Sequence, residues 1–531
     1  MRLAVFIQIY RHLSIQGAFS WIYNLFPSPL SAPAVGLAAA AHLVQRGDPI
    51  VVEAGSEIAA NVRSWGHVHL FSPWRWCVDK AAVALLEQQG WRHPDPDTLP
   101  TGHALIDDYL LPLAQTPELR SQIHLNARVM AVSRRRIDKM KDAGRTEAPF
   151  VVQVQMNGEE ERFLVRAVID ASGTWATPNP IGADGLLAPG ETANADKVAY
   201  GIPDVLGRMR SRYAGKRVAV IGGGHSAINA ILELMDLHAD EPATHITWIL
   251  RKANVAATYG GLENDQLSGR GLLGMRIKEL VESGAVDVVT PFFTTRLEKA
   301  GEGVRLIGDT PQGERTIVVD EVIGATGSRP DLAFLRELRL DLHTSVEAPS
   351  AIAPLIDPNL HSCGSVPPHG ENELRHPESG FYMVGMKSYG RAPTFLLATG
   401  YEQVRSVVAG LVGNWEAAAD VQLELPETGV CGVPATVDAN GLGLGSSCCG
   451  SQPAPRTSTL IPVNLSNVRF EPAFAADLAL TPVTTAADSC CGVTACCTDD
   501  APVSADACCT PEAKAAMATA NQPATASTCC G

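Results

Sequence analysis

The chain predicts an α/β protein with two Rossmann-like, doubly wound dinucleotide-binding domains, one inserted in the other. Three features of the sequence point to that architecture. Strand-like and helix-like segments alternate from Val35 onward, which makes parallel sheets. A strand–glycine turn–helix unit is intact in "RVAVIGGGHSAINAILELM", and a degenerate copy stands near the start in "SPLSAPAVGLAAAAHLVQRG". Strand-to-glycine junctions after Arg315 complete the first domain. The expected divisions are an atypical segment 1–30, a first domain in two parts (31–195 and 325–413), an inserted second domain (196–324) and a tail (414–531).

Taken in order, "VGLAAAAHLVQRG" is an alanine-rich helix stopped by Gly47. "PIVVEAG" is a short buried strand ending in Glu53. "RFLVRAVIDASGTW" leads a strand into the turn at Ser172-Gly173. "RVAVIGGGHSA" gives strand, turn and helix, and "HITWILRK" the next strand. "RTIVVDEVIGATGSRPD" and "GFYMVGMKSYG" supply the last two strand-to-glycine junctions.

At 531 residues the chain is too long for one ordinary domain. Its net charge of −15 argues against nucleic acid as a partner, because phosphate binding needs clustered Lys and Arg. No run of apolar residues is long enough to span a membrane. The first 34 residues resemble a signal peptide superficially, but Arg11 and His12 interrupt the apolar stretch, and cleavage after Ala34 would remove half of the first turn. A cytoplasmic chain is expected. Of 13 cysteines only Cys77 and Cys363 precede Asn414, so the body is no disulfide scaffold.

Gly222, Gly224 and Ser226 stand where a turn lets backbone N–H groups and a helix N-terminus approach a pyrophosphate. The following strand ends in Arg251 and Lys252, where an NAD site would carry an acid. Cations there suit the 2′-phosphate of NADPH; otherwise they are two solvated charges. His225 reads as a turn residue.

Together "VGLAAAAHL…VVEAG", "GGGHSAINA", "IGATGSRPD" and "GFYMVGMKSYGRAPTFLLATGYEQVRS" resemble the two-dinucleotide-domain flavoproteins, which include flavin monooxygenases and thioredoxin-reductase-like enzymes. The resemblance is nearest to the flavin monooxygenase-like oxidoreductases associated with arsenic resistance, and it covers roughly Val35 to Gly413. It implies FAD and NADPH as cofactors and a small-molecule substrate. It also implies that Glu53 binds the adenosine ribose, that Ser172-Gly173 and Ala325-Thr326-Gly327 link the domains, and that Gly385 brings backbone to the flavin. The helix after Thr394 would face the pyrimidine side of the ring.

Laid on the family pattern, Ser31 and Pro33 replace the first two glycines of the first turn and only Gly36 remains. The preceding "YNLFPSPL" holds two prolines and is unfit for a central strand. One expectation is that the first strand is absent and FAD binding weakened; the other is a divergent but working turn.

Electrons from NADPH can go to oxygen, oxygenating a soft nucleophile, or to a disulfide. The second fate needs a Cys-x-x-Cys, which the body lacks. The monooxygenase Phe-x-Gly…His fingerprint is not visible either. Cys363, flanked by His361 and His369, is a candidate thiolate or a packed free cysteine. The cluster "WGHVHLFSPWRW" is either beside the flavin or core.

The tail carries 3 basic and 12 acidic residues and is expected to be disordered. It holds Cys431 and five adjacent pairs: Cys448-Cys449, Cys490-Cys491, Cys496-Cys497, Cys508-Cys509 and Cys529-Cys530. Adjacent cysteines close a disulfide only under strain, and reduced they present paired soft thiolates. Arsenite or a soft metal ion is the expected ligand. A metalloid-binding protein with a decayed flavin site, and a reductase that uses the tail cysteines, are the alternatives.

Overall fold

The computed structural model describes residues 20–25, 32–44, 46–47, 49–265, 267–358, 366–392 and 395–423. Fifteen strands in chain order build three sheets. The first body uses β1 (Ser20–Leu25), β2 (Pro49–Glu53), β3 (Ile123–His124), β4 (Ala127–Arg134), β5 (Phe150–Met156) and β6 (Glu159–Asp170). The second uses β7 (Val198–Tyr200), β8 (Arg217–Ile221), β9 (His245–Ile249) and β10 (Asp287–Val289), then β11 (Phe293–Ala300), β12 (Gly303–Thr310), β13 (Gly313–Val319) and β14 (Glu321–Gly324). β15 (Phe381–Met383) returns to the first sheet.

The first sheet runs β3-β2-β1-β6-β5-β4, with β15 also on β6. β1, β2, β3, β6 and β15 pair in parallel, whereas β4, β5 and β6 form an antiparallel meander. A parallel sheet runs β10-β9-β8-β14-β7 and an antiparallel one β11-β12-β13. All strands of these two sheets fall between β6 and β15 in the chain.

β1 corrects one expectation. The first strand is present, central, and paired with both β2 and β6, from Trp21 opposite Pro49 to Leu25 opposite Glu53. The strand Ser20–Leu25 ends before Pro27 and Pro29 are reached in the sequence, so neither proline belongs to it. Pro33 sits in the first turn of the helix Ala32–Val44. A missing N–H is harmless there, since the first-turn donors have no intrahelical partner.

That helix is almost wholly buried from Ala34 to Leu43, because its alanines allow close approach on every side. The helix Leu397–Leu411 crosses it at Gly400, where a Cβ would overlap the Val35 side chain. Structure also continues past the expected tail boundary. The helix Trp415–Ala419 is tied back by Arg405 to the Ala417 carbonyl (2.6 Å) and by Ser406 to that of Ala418 (2.6 Å). Among the described residues no helix is long and apolar enough to cross a membrane.

Candidate functional site: two sheet edges joined by paired linkers

Ligands of open parallel sheets bind outside the carboxyl ends of the strands, and both parallel sheets place the chemistry-bearing residues there. In the first sheet, Glu53 ends β2 and is 3% exposed. Burial pushes its carboxyl up to about 7, against the opposing effect of the Gly55 N–H that donates to it at 2.8 Å. Gly36 is buried inside the neighbouring helix Ala32–Val44.

The chain after Glu53 turns through Ala59, a non-glycine residue in the left-handed region (φ 59°), into the short helix Ala60–Ser64. Asn61 Nδ2 and Trp65 Nε1 follow, one helical turn apart, both buried and without a hydrogen-bond partner. A buried donor left unpaired costs about 1–3 kcal/mol. Two of them on the segment that follows the buried Glu53 fit a ligand rich in acceptors, as an adenine dinucleotide is.

Along the same edge, Asp170 ends β6 and the turn Gly385–Tyr389 follows β15. Gly385 takes φ 67°, which suits glycine, and its N–H donates to Gln403 Oε1 (2.7 Å). That N–H is therefore committed within the protein, and the turn approaches a ligand through its remaining surface. Ser172 is 2% exposed, its hydroxyl held by Lys387 Nζ at 2.8 Å.

The second edge lies at β8 and β9. Gly222 (φ 136°) passes so close to β14 that a Cβ would overlap the Ala325 carbonyl, which explains the glycine without appeal to a ligand. Gly224 differs: it is exposed, caps the helix His225–Asp240, and has open space where a Cβ would stand. No side chain caps that helix, so first-turn N–H groups, Ser226 among them, are left for an incoming anion. Arg251 and Lys252 are exposed just beyond β9, bonded only to the carbonyls of Ala183 (3.1 Å) and Ala257 (3.2 Å). The His225 ring packs edge-on against Phe71 of the first body (centroids 5.2 Å), and desolvation, helped by nearby Arg270, pushes its pKa down to about 4. It is neutral at physiological pH.

The two linkers pair. Asn179 N donates to Gly327 O (2.9 Å), Arg329 N to Thr177 O (3.0 Å), and Ser328 Oγ to Thr174 Oγ1 (2.8 Å). Gly173 and Gly327 both take positive φ (68° and 80°). His67 Nε2, 3.2 Å from Glu233 Oε1, adds a contact between the bodies.

Cys77 is fully buried, its thiol pushed up to about 12 by burial and directed at the Ser72 carbonyl (3.3 Å). It is an inert core thiol. Cys363, Thr394 and the tail cysteines 448, 449, 490, 491, 496, 497, 508, 509, 529 and 530 lie outside the described residues. Among the described residues no cluster of His, Cys, Asp and Glu could hold a metal ion. Asn61 stands in no motif, and although Asp170, Lys387 and Gln403 lie within motif segments, nothing in the sequence assigns them a role.

The chain belongs to the pyridine nucleotide-disulphide oxidoreductase family, whose model matches residues 32–351. FAD and NADP(H) are the cofactors of that class of oxidoreductase, and the two edges fit them. The ferredoxin–NADP reductase of Thermus thermophilus is 29% identical over 213 residues, which cover 38% of this chain and 54% of that protein. The ferredoxin–NADP reductase of Paramagnetospirillum magneticum is 26% identical over 214 residues, covering 40% and 55%. The chain thus spans about half the length of the curated relatives it matches. Among solved structures, a bacillithiol disulfide reductase from Bacillus cereus superposes with TM-score 0.53 at 18% identity, covering 74% of this chain and 98% of that one. The FAD-bound cadaverine monooxygenase of desferrioxamine biosynthesis from Erwinia amylovora gives 0.52 at 12%, covering 79% and 100%. These two are likenesses of fold.

Proposed function

We propose that the chain is an FAD-dependent NADPH oxidoreductase of the monooxygenase-like kind, acting on a small molecule in arsenic or metalloid detoxification. The observation that carries the cofactor pair is the presence of two nucleotide-ready sheet edges, one with a buried acid and orphaned donors, the other with an uncapped helix and two exposed cations. FAD, when bound, takes the hydride of NADPH and hands the electrons on. Glu53 receives the ribose hydroxyls, Asn61 and Trp65 donate to the dinucleotide, and the helix Ala32–Val44 turns its N-terminus to the pyrophosphate. Across the paired linkers, Gly224 and Ser226 seat the NADPH pyrophosphate and Arg251 and Lys252 its 2′-phosphate.

The monooxygenase-like fate is favoured over a disulfide because Cys77 is sealed in the core and no Cys-x-x-Cys occurs before Asn414. The link to arsenic rests on the paired tail cysteines, whose soft thiolates suit a thiophilic ion. They also support a second reading, in which the tail thiols receive the electrons.

The test is the visible spectrum of the purified chain before and after anaerobic NADPH. A flavin band that bleaches is expected, with NADPH preferred to NADH. Replacing Arg251 and Lys252 together by alanine should reduce that preference by roughly tenfold or more, since each 2′-phosphate contact is charge-assisted. A colourless chain that stays inert with added FAD would refute the oxidoreductase. Loss of NADPH turnover on removing residues 424–531 would favour the second reading.

A further inference from the structure

Lys387 is fully buried, with 0% of its side chain exposed, and so is its partner Asp170, whose Oδ2 lies 2.6 Å from the ammonium. Each lies in a strand-to-glycine segment, but nothing in those segments announces that the two will pair. Desolvating two charges costs several kcal/mol per ion, and two apolar residues of similar volume often serve a core as well. What the pair does in addition is geometric. Asp170 is the last residue of β6, opposite Met383 at the end of β15. Its Oδ1 accepts from Ser172 N (3.0 Å), while Lys387 Nζ donates to Ser172 Oγ (2.8 Å) and stands 4.4 Å over the Phe334 ring. One ammonium therefore joins the end of β6, the start of the first linker and the turn after β15. Gln403 holds the same turn from the other side, accepting from Gly385 N (2.7 Å) and donating to Ser388 Oγ (2.9 Å) and His369 Nε2 (2.8 Å). His369 accepts there because its Nδ1 faces the Pro367 carbonyl (3.0 Å).

We propose that Lys387 is a positioning residue for the flavin: through Asp170 and Ser172 it fixes the Gly385 turn and the first linker against one another, and so sets how tightly and in what orientation the flavin is held. The inference rests on the FAD reading above. Lys387 itself is fully buried and acts through the serine hydroxyl and the turn.

The experiment compares the full chain with three variants: D170L/K387M, which removes both charges without stranding either, S172A, which leaves the buried pair intact, and the triple variant. FAD affinity is read by titrating the flavin-free protein, and flavin environment by the shape of the long-wavelength absorption band. S172A should weaken FAD binding several-fold, in line with losing a hydrogen bond to a charged group, and D170L/K387M by roughly tenfold or more, because it also removes the acceptor of Ser172 N. Adding S172A to the pair variant should change nothing further, because the lysine acts through that hydroxyl. The band shape should shift alike in the pair and triple variants, which a loss of stability alone would not do.

An unchanged FAD affinity in S172A overturns the proposal whether or not the pair variant folds, as does an S172A effect that adds in full to that of the pair. A wild-type chain that takes up no FAD overturns the cofactor reading and this inference together. FAD uptake by wild type with unaltered variants overturns this inference alone.

Discussion

At the scale of single residues, Glu53 carries the cost of its burial. Its folded-state pKa of about 7 lies above the ordinary carboxylate value of 4.5, so the folded chain holds a proton there that the unfolded chain has lost. The associated stability is fully present below about pH 4.5 and is lost as pH rises to about 7, on the order of 3 kcal/mol in all. E53Q removes the titration. Thermal unfolding of the flavin-free proteins should show the wild type falling behind E53Q between those two pH values, and FAD should close the gap by supplying hydroxyl donors to the carboxylate. Parallel pH profiles for the two proteins would contradict this. Glu53 was legible in the sequence because a strand ending in an acid has a fixed place in the motif. Lys387 was not, because a lysine in "GMKSYG" gives no sign that Asp170, distant in sequence, will meet it in the core.

At the scale of elements, the first strand decides whether the first edge exists. β1 lies between β2 and β6, so Trp21 to Asn24 are paired on both sides. I22P would remove a donor in mid-strand, and the expected result is loss of FAD uptake together with a fall in cooperative unfolding. P29A, beyond the strand, should leave unfolding unchanged. Equal behaviour of the two variants would mean that Ser20–Leu25 is not the strand. The parallel elements were legible from alternating patterns and glycine turns. The antiparallel meanders were not read from the same text, although one signal was available: Asn157-Gly158 joins β5 to β6 with both residues at positive φ (51° and 91°), the tight turn that an Asn-Gly pair between two apolar runs announces. The prolines of "YNLFPSPL" mask β1 in the sequence, because its segment "SWIYNL" ends just before them. The short helix Trp415–Ala419 has the composition of the tail and no pattern of its own; Arg405 and Ser406 of the preceding helix bond to its carbonyls, and Arg375 lies over the Trp415 ring.

At the scale of the whole molecule, the two bodies meet through small, specific contacts, Phe71 on His225 and His67 on Glu233, and through the paired linkers. A substitution at Phe71 should therefore leave each body folded and alter their mutual approach. F71A is expected to preserve the unfolding temperature within a few degrees, as a partly exposed contact would, while changing the rate at which NADPH reduces bound flavin. A variant with unchanged reduction kinetics would show that the contact is incidental.

The pairing of β15 with β6, Phe381 opposite Val168, also sets an order in time. On the ribosome the second body is complete once Gly324 has emerged, since all its strands are then available. The first body has by then been waiting with β6 open along the edge that β15 will cover. An unpaired strand edge is a template for wrong partners, and here it stays open for the whole synthesis of the inserted segment. Nascent chains arrested after Gly370, with Gly324 clear of the ribosome and β15 not yet made, should thus yield protease-resistant fragments from the second body and none from the first. Release of the rest of the chain should then protect both. The segment that interrupts the gene is the one that finishes first, and the opening of the message is the last to be made safe.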